Sequence, residues 1–218
     1  MGGVILRFAD WEWHVLALCR GDDPDRAPRF ARAAAALNAQ PYISDLDDSS
    51  PIPAPLSADL HEIKRRISSL VPRDFDLIFT HGATGEYTRH ERHEQIHRAV
   101  REMIESGELA GDLICFAYDD CEGRCRPQPA ADVRFLVELT PEEHAAKQRI
   151  VRDIYGVGPG SFEFEAAGPI EAFSSPVCPV FRDFGDPISP SRSTAEIPKH
   201  RRLWTFDFGL STSGSPRG

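Results

Sequence analysis

The sequence predicts an α/β protein, a mostly parallel sheet with helices on both faces. Three observations carry that reading. Short apolar runs of strand length alternate with longer segments at helical spacing between residues 11 and 155. Val15-Leu16-Ala17-Leu18 and Leu77-Ile78-Phe79 read as buried strand centres. A histidine-rich stretch, Gly85 to His97, sits where a strand hands over to a helix, the position at which open α/β sheets bind ligands.

The elements come in order along the chain. Trp11–Cys19 reads as a strand stopped by Arg20-Gly21-Asp22-Asp23-Pro24, and Pro24–Asn38 as a helix dominated by Arg and Ala. Gln40–Leu46 is a short strand, followed by a Pro/Ser/Asp loop over 47–55. Ser57 is placed to cap a helix running to Leu70, with Leu60, Ile63 and Ile67 on one face. Asp76–Thr80 is a buried strand leading into the histidines. The next helix carries Ile96, Val100, Met103 and Ile104 at helical spacing and stops at Gly107. Asp112–Tyr118 and Val133–Leu139 are strands flanking a Cys/Pro loop. Thr140-Pro141-Glu142-Glu143 is a capping box with Pro at the first helical position, opening a helix to Tyr155-Gly156.

Two features break this order. From Ser174 the chain turns rich in Pro, Ser, Gly and Arg, so residues 174–218 are expected to form a poorly ordered tail behind a domain over 1–173. At the other end, Gly2–Ala9 resembles the body of a helix with no strand before it, so the chain begins one element late.

Composition bounds the function. A length of 218 residues, 41% hydrophobic and 27% charged, fits one globular domain. A net charge of -9 argues against a nucleic-acid partner. No apolar run reaches membrane-spanning length, and Met1–Arg7 has neither the basic start nor the cleavage site of a signal peptide. Cys19 and Cys115 read as buried thiols, Cys121 and Cys125 as two loop thiols, and the expected location is cytoplasmic. The Cys121/Cys125 pair lacks the second pair that a structural zinc site needs.

These stretches resemble the PIG-L/LmbE-like zinc-dependent N-deacetylases over residues 2–172. Gly2-Gly3 with its short helix, then Trp13-His14-Val15-Leu16-Ala17-Leu18, is similar to the family's first helix and second strand. Arg20-Gly21-Asp22-Asp23 resembles its Gly-acid turn, His90-Glu91-Arg92-His93 its His-Pro-Asp-His motif, and Lys147–Tyr155 its last-helix signature. The resemblance implies a Rossmann-like α/β fold and removal of acetyl groups from N-acetylated amino sugars or glycoconjugates with Zn2+. It implies His93 as a metal ligand, His90 as the residue that stabilises the oxyanion or donates a proton, and Arg29 and Asp22 as substrate contacts. Arg29 matches the family's Arg-x-x-Glu, whose Glu is Arg32 here.

The family's Pro-His-Pro-Asp-Asp motif, on a first strand before the Gly-Gly, has no counterpart. The chain is therefore expected to be a member shortened at its start, with impaired metal binding. A sheet lacking that central strand is expected to expose apolar edges and dissolve poorly.

Two other readings stand beside this one. His93-Glu94-Gln95-Ile96-His97 fits the His-Glu-x-x-His helix of zinc proteases, with Glu105 or Glu108 as a third ligand. Such helices are normally buried and apolar around the motif, whereas Arg89, Glu91, Arg92, Glu94 and Gln95 crowd it here and weigh against it. A non-catalytic family member is the third. In it His81 caps a strand, His90 caps a helix, and His97 lies on a solvated face.

Overall fold

The computed structural model describes residues 2–48, 56–85, 90–121, 124–131, 133–175 and 201–206. The chain begins with α1 (Gly3–Arg7), β1 (Glu12–Cys19), α2 (Arg26–Ala36), β2 (Gln40–Leu46), α3 (Leu56–Leu70) and β3 (Asp74–Thr80). It continues with α4 (Glu91–Glu105), β4 (Ala110–Phe116), the short β5 (Tyr118–Asp119) and β6 (Gln128–Pro129), and β7 (Phe135–Glu138). α5 (Pro141–Arg149) runs on into a π-helical turn (Ile150–Ile154), and α6 (Phe162–Ala166), β8 (Ile170–Ser174) and β9 (Arg201–Phe206) complete the order.

Seven strands form one sheet in the order β2-β1-β9-β3-β4-β8-β7. The five from β2 to β4 are parallel, and β8 and β7 add two antiparallel pairings at one side. Successive residues of the apolar strands point to opposite faces, and each face is covered by helices. Trp13, Val15, Ala17, Leu77 and Phe79 pack with Val4 and Ile5 of α1 and Phe30 of α2. Leu16, Leu18 and Ile78 pack with Ile63 and Ile67 of α3 and Ile96, Val100 and Met103 of α4. The chain is an α/β protein with helices on both faces of its sheet.

Local chemistry explains the boundaries. The side chain of Thr140 accepts the N–H of Glu143 at 3.2 Å while the Glu143 carboxylate accepts that of Thr140 at 2.8 Å, so the capping box forms as written in the sequence. The predicted helix over 24–38 is shortened. The Asp23 carboxylate accepts the N–H groups of Asp25 and Arg26, each at 2.9 Å, and turns the chain before α2. Asn38, at φ 53, ends it. Cys121 and Cys125, read as loop thiols, are joined in a disulfide, whereas Cys19 and Cys115 are buried and outside any disulfide, as expected.

The largest departure lies at the sheet's centre. Arg201–Phe206, inside the segment expected to be a loose tail, is a strand between β1 and β3 and parallel to both. Glu12 to Ala17 pair with Arg201 to Phe206, and Leu77 to Phe79 with Arg202 to Trp204. The buried Arg202 guanidinium pairs with Asp76 at 2.9 Å and lies 4.1 Å above the Trp11 ring. The expectation of an open central slot is corrected: the facing edges of β1 and β3 are each paired with β9, which removes the ground on which poor solubility was expected.

The start of the chain is anchored as well. The Glu171 carboxylate, fully buried, accepts the N–H groups of Gly2, Gly3 and Val4 at 2.9, 2.8 and 2.7 Å and pairs with Lys147 at 2.9 Å. A Cβ on Gly3 would come within 2.3 Å of Leu139 Cδ1, so a side chain there requires the Leu139 side chain to shift. Arg7 ties α1 to α5 through both carboxylate oxygens of Glu143, at 2.7 Å each.

Candidate functional site

Parallel pairing brings the carboxyl ends of β1, β9, β3 and β4 to one edge of the sheet. The turn after β3 is tight. Gly82 and Gly85 form an isolated bridge, and a Cβ on Gly82 would meet Gly85 O at 2.8 Å and Phe116 O at 3.0 Å. His81, the residue after β3, is thereby held under the start of α4.

Helix α4 brings its own histidines to the same point. His90 is its N-cap in an extended conformation, and its carbonyl accepts the N–H of Glu94 at 3.1 Å. His93 lies one turn in, 6% exposed. Its ring stacks on that of His81 with centroids 3.9 Å apart and planes 5° from parallel, and the His90 ring stands 4.5 Å away at 35°. His97, a further turn along, donates from Nδ1 to the His81 carbonyl at 2.9 Å, with Cys115 Sγ 3.6 Å from the same nitrogen.

Burial favours the neutral form of His81, His93 and His97. His81 is held well below its ordinary value by burial first, then by His93, His90 and His97. Burial and then His90 push His93 down to about 3. Burial also lowers His97, against the raising effect of its bond to the His81 carbonyl. Cys115 is pushed up to about 12 by burial, so it is a thiol and no nucleophile at neutral pH.

Neither ring nitrogen of His93 has a hydrogen-bond partner among the described residues, nor does Nδ1 of His90. A buried polar atom without a partner costs about 1–3 kcal/mol. Native sites that carry such a cost commonly reserve the atom for a ligand or catalytic role.

The surroundings of His93 differ from the sequence reading. Arg92 and Gln95, which the sequence sets against the usual apolar surroundings of such a motif, are each 2% exposed. Arg92 donates to Gln95 Oε1 at 2.6 Å and to the Asp47 carbonyl, and Gln95 donates to Asp59 Oδ2 at 3.1 Å. These bonds lace α4 to α3 and to the segment after β2. His97, expected on a solvated face, is half-buried and bound to the end of β3.

The other predicted residues stand apart from the histidines. Asp22 is exposed in the turn after β1, on the same edge but separated from β3 by β9, hence two strand spacings or about 10 Å away. Asp23 is occupied in turning the chain into α2. Arg29 pairs with Asp25 at 2.8 Å and donates to the Ile154 carbonyl at 3.2 Å, which ties α2 to the π-helical turn. No described contact takes Asp22 or Arg29 to the histidines. His81 is the residue whose importance the sequence hid, because a histidine after an apolar strand reads as a strand end.

No protein-family description matches the chain, and no curated protein does. Among solved structures it is similar to GalB, the 4-carboxy-2-hydroxymuconate hydratase of Pseudomonas putida. The identity is 17% and the TM-score 0.48, over 82% of this chain and 90% of that one. A likeness of that depth does not bear on the chemistry of this protein. No helix among the described residues is long and apolar enough to cross a membrane.

The histidines fit a metal in part. His93 is neutral with buried, unpartnered ring nitrogens, the state a metal ligand needs. Among the described residues, however, no three His, Cys, Asp or Glu side chains converge as a ligand set.

Proposed function

We propose that this protein is a zinc-dependent hydrolase of the N-deacetylase type, acting on an N-acetylated amino sugar or glycoconjugate, with impaired metal binding. The observation that carries the reading is the buried, neutral, unpartnered imidazole of His93 at the carboxyl edge of a parallel sheet. His93 is the residue that holds Zn2+. When bound there, Zn2+ supplies a water whose pKa falls from about 16 to near 7. His90 would donate a hydrogen bond to the oxygen on which charge develops as the acetamide is attacked; its ring beside that of His93, with Nδ1 lacking a partner among the described residues, supports that role. Asp22 and Arg29 are assigned to the sugar's polar groups on family resemblance alone.

The His-Glu-x-x-His alternative has weaker support, since Nδ1 of His97 is spent on the His81 carbonyl. The cytoplasm is the proposed site of action. The buried thiols of Cys19 and Cys115, outside any disulfide, support it and the Cys121–Cys125 disulfide weighs against it.

The test is zinc titration of the purified chain beside its His93→Ala and His97→Ala variants, with acetate release from an N-acetylglucosamine conjugate assayed in parallel. The expected result is weak uptake that His93→Ala abolishes and His97→Ala retains, with acetate release that His90→Ala lowers without loss of zinc. Equal uptake by His93→Ala, or no uptake by the unaltered chain, overturns the proposal.

A further inference from the structure

We infer that His81 is a positioning residue for His93: its buried ring fixes the plane of the His93 imidazole by face-to-face stacking and leaves both His93 nitrogens open. The metal-binding consequence rests on the proposed role of His93 as the zinc ligand. The stacking itself does not.

A ligand histidine is ordinarily oriented by a hydrogen bond from its second ring nitrogen to a carboxylate or carbonyl. His93 has no such bond among the described residues. What it has is a parallel neighbour 3.9 Å away. Nitrogen lone pairs and N–H bonds lie in the plane of an imidazole. A partner on the ring face therefore restricts rotation about χ2 without using either nitrogen.

His81 is itself firmly held. It is fully buried, and the Phe116 ring meets it edge-on at 5.8 Å and 82°. Its carbonyl is gripped by His97, four residues after His93 on the same helix. The end of β3 and the first half of α4 are thus laced twice, ring to ring through His93 and carbonyl to ring through His97. Both contacts lie on one side of α4, as an i, i+4 pair must. Rotation of the His93 ring would require either loss of the stack or movement of the strand end.

His81→Ala and His81→Phe separate the ring face from the ring nitrogens. Two readings are taken on each: Zn2+ affinity by competition with a chelator, and the ring signals of His93 in long-range 15N–1H spectra of the metal-free protein. His81→Ala is expected to weaken Zn2+ binding by about 10–100-fold, the usual scale for a lost orienting partner, and to shift or broaden the His93 signals. His81→Phe, which keeps a flat ring on the stack, is expected to restore both. Cooperative melting checks that each variant folds.

The inference is overturned if His81→Ala leaves both readings unchanged, or if His81→Phe behaves like His81→Ala, which would make the His81 nitrogens the active groups. If the unaltered chain takes up no zinc, the deacetylase reading fails. The spectra of the metal-free variants still decide the stacking.

Discussion

Two buried polar clusters in this protein are built on opposite principles. Around Glu171, a fully buried carboxylate meets three backbone N–H groups and a buried lysine. Burial alone would push its pKa up, yet Lys147 and the N–H donors prevail and hold it at about 2. Around His93, imidazoles are packed face to face and neither ring nitrogen of His93 has a partner among the described residues. The first cluster stabilises the fold. The second costs stability, and a fold retains such a cost where a ligand will use the open atoms.

The contrast is broken most forcefully at Glu171. Glu171→Ala strands Lys147 in the interior and frees three N–H groups, and breaking one partner of a buried pair costs about 3–5 kcal/mol. Urea unfolding should show a loss of that size. A loss below about 1 kcal/mol would mean that the cluster is not what holds α1.

Acid separates the two clusters by pH window. Glu171 has its folded pKa depressed, from the ordinary 4.5 to about 2, so its contribution is present above pH 4.5 and fades as pH falls through that interval. The shift corresponds to about 3 kcal/mol. His93 is also depressed, from 6.5 to about 3. Its neutral form belongs to the folded state, so stability of the metal-free protein begins to fall as soon as pH drops below 6.5. His93→Phe should lessen the loss between pH 6.5 and about 3, of which His81 and His97 keep a part, and leave the loss from Glu171 below pH 4.5. An unchanged profile would show that His93 is not buried as a neutral ring.

Gly3→Ala sharpens the first half of the comparison. The new methyl would collide with Leu139, and overpacking of this kind costs about 1–3 kcal/mol in urea unfolding. At neutral pH, His93→Phe has a smaller expected effect of opposite sign. Replacing unsatisfied polar atoms by an apolar ring of similar shape is close to neutral or mildly stabilising. A large destabilisation would reveal that the His93 nitrogens bond to something structural. Asp22→Asn, in an exposed turn, should change stability by no more than about 0.5 kcal/mol.

Legibility in the sequence obeys the same division between local and distant partners. Gln40–Leu46, the Thr140 cap and the buried thiols Cys19 and Cys115 could be read because neighbouring residues determine them. β9 could not. Arg201–Phe206 sits in a Pro- and Ser-rich context, and its pairing partners lie at 12–17 and 77–79. The site was half legible. His90 and His93 announced themselves as a motif, while the charged look of α4 concealed that Arg92, Gln95 and His97 turn inward to bond α3, the segment after β2 and the end of β3. Glu171 gave no signal, since its donors are at residues 2–4 and 147.

The position of β9 also sets a timetable. Its neighbours β1 and β3 come early in the chain, but no hydrogen bond joins them until residues 201–206 arrive between them. During synthesis at about 5–20 residues per second, the β2-β1 and β3-β4 halves wait with bare inner edges for roughly 5–20 seconds after β4 is made. The two halves cannot close until residues 201–206 have left the ribosome. A chaperone that shields strand edges would find its substrate in that interval.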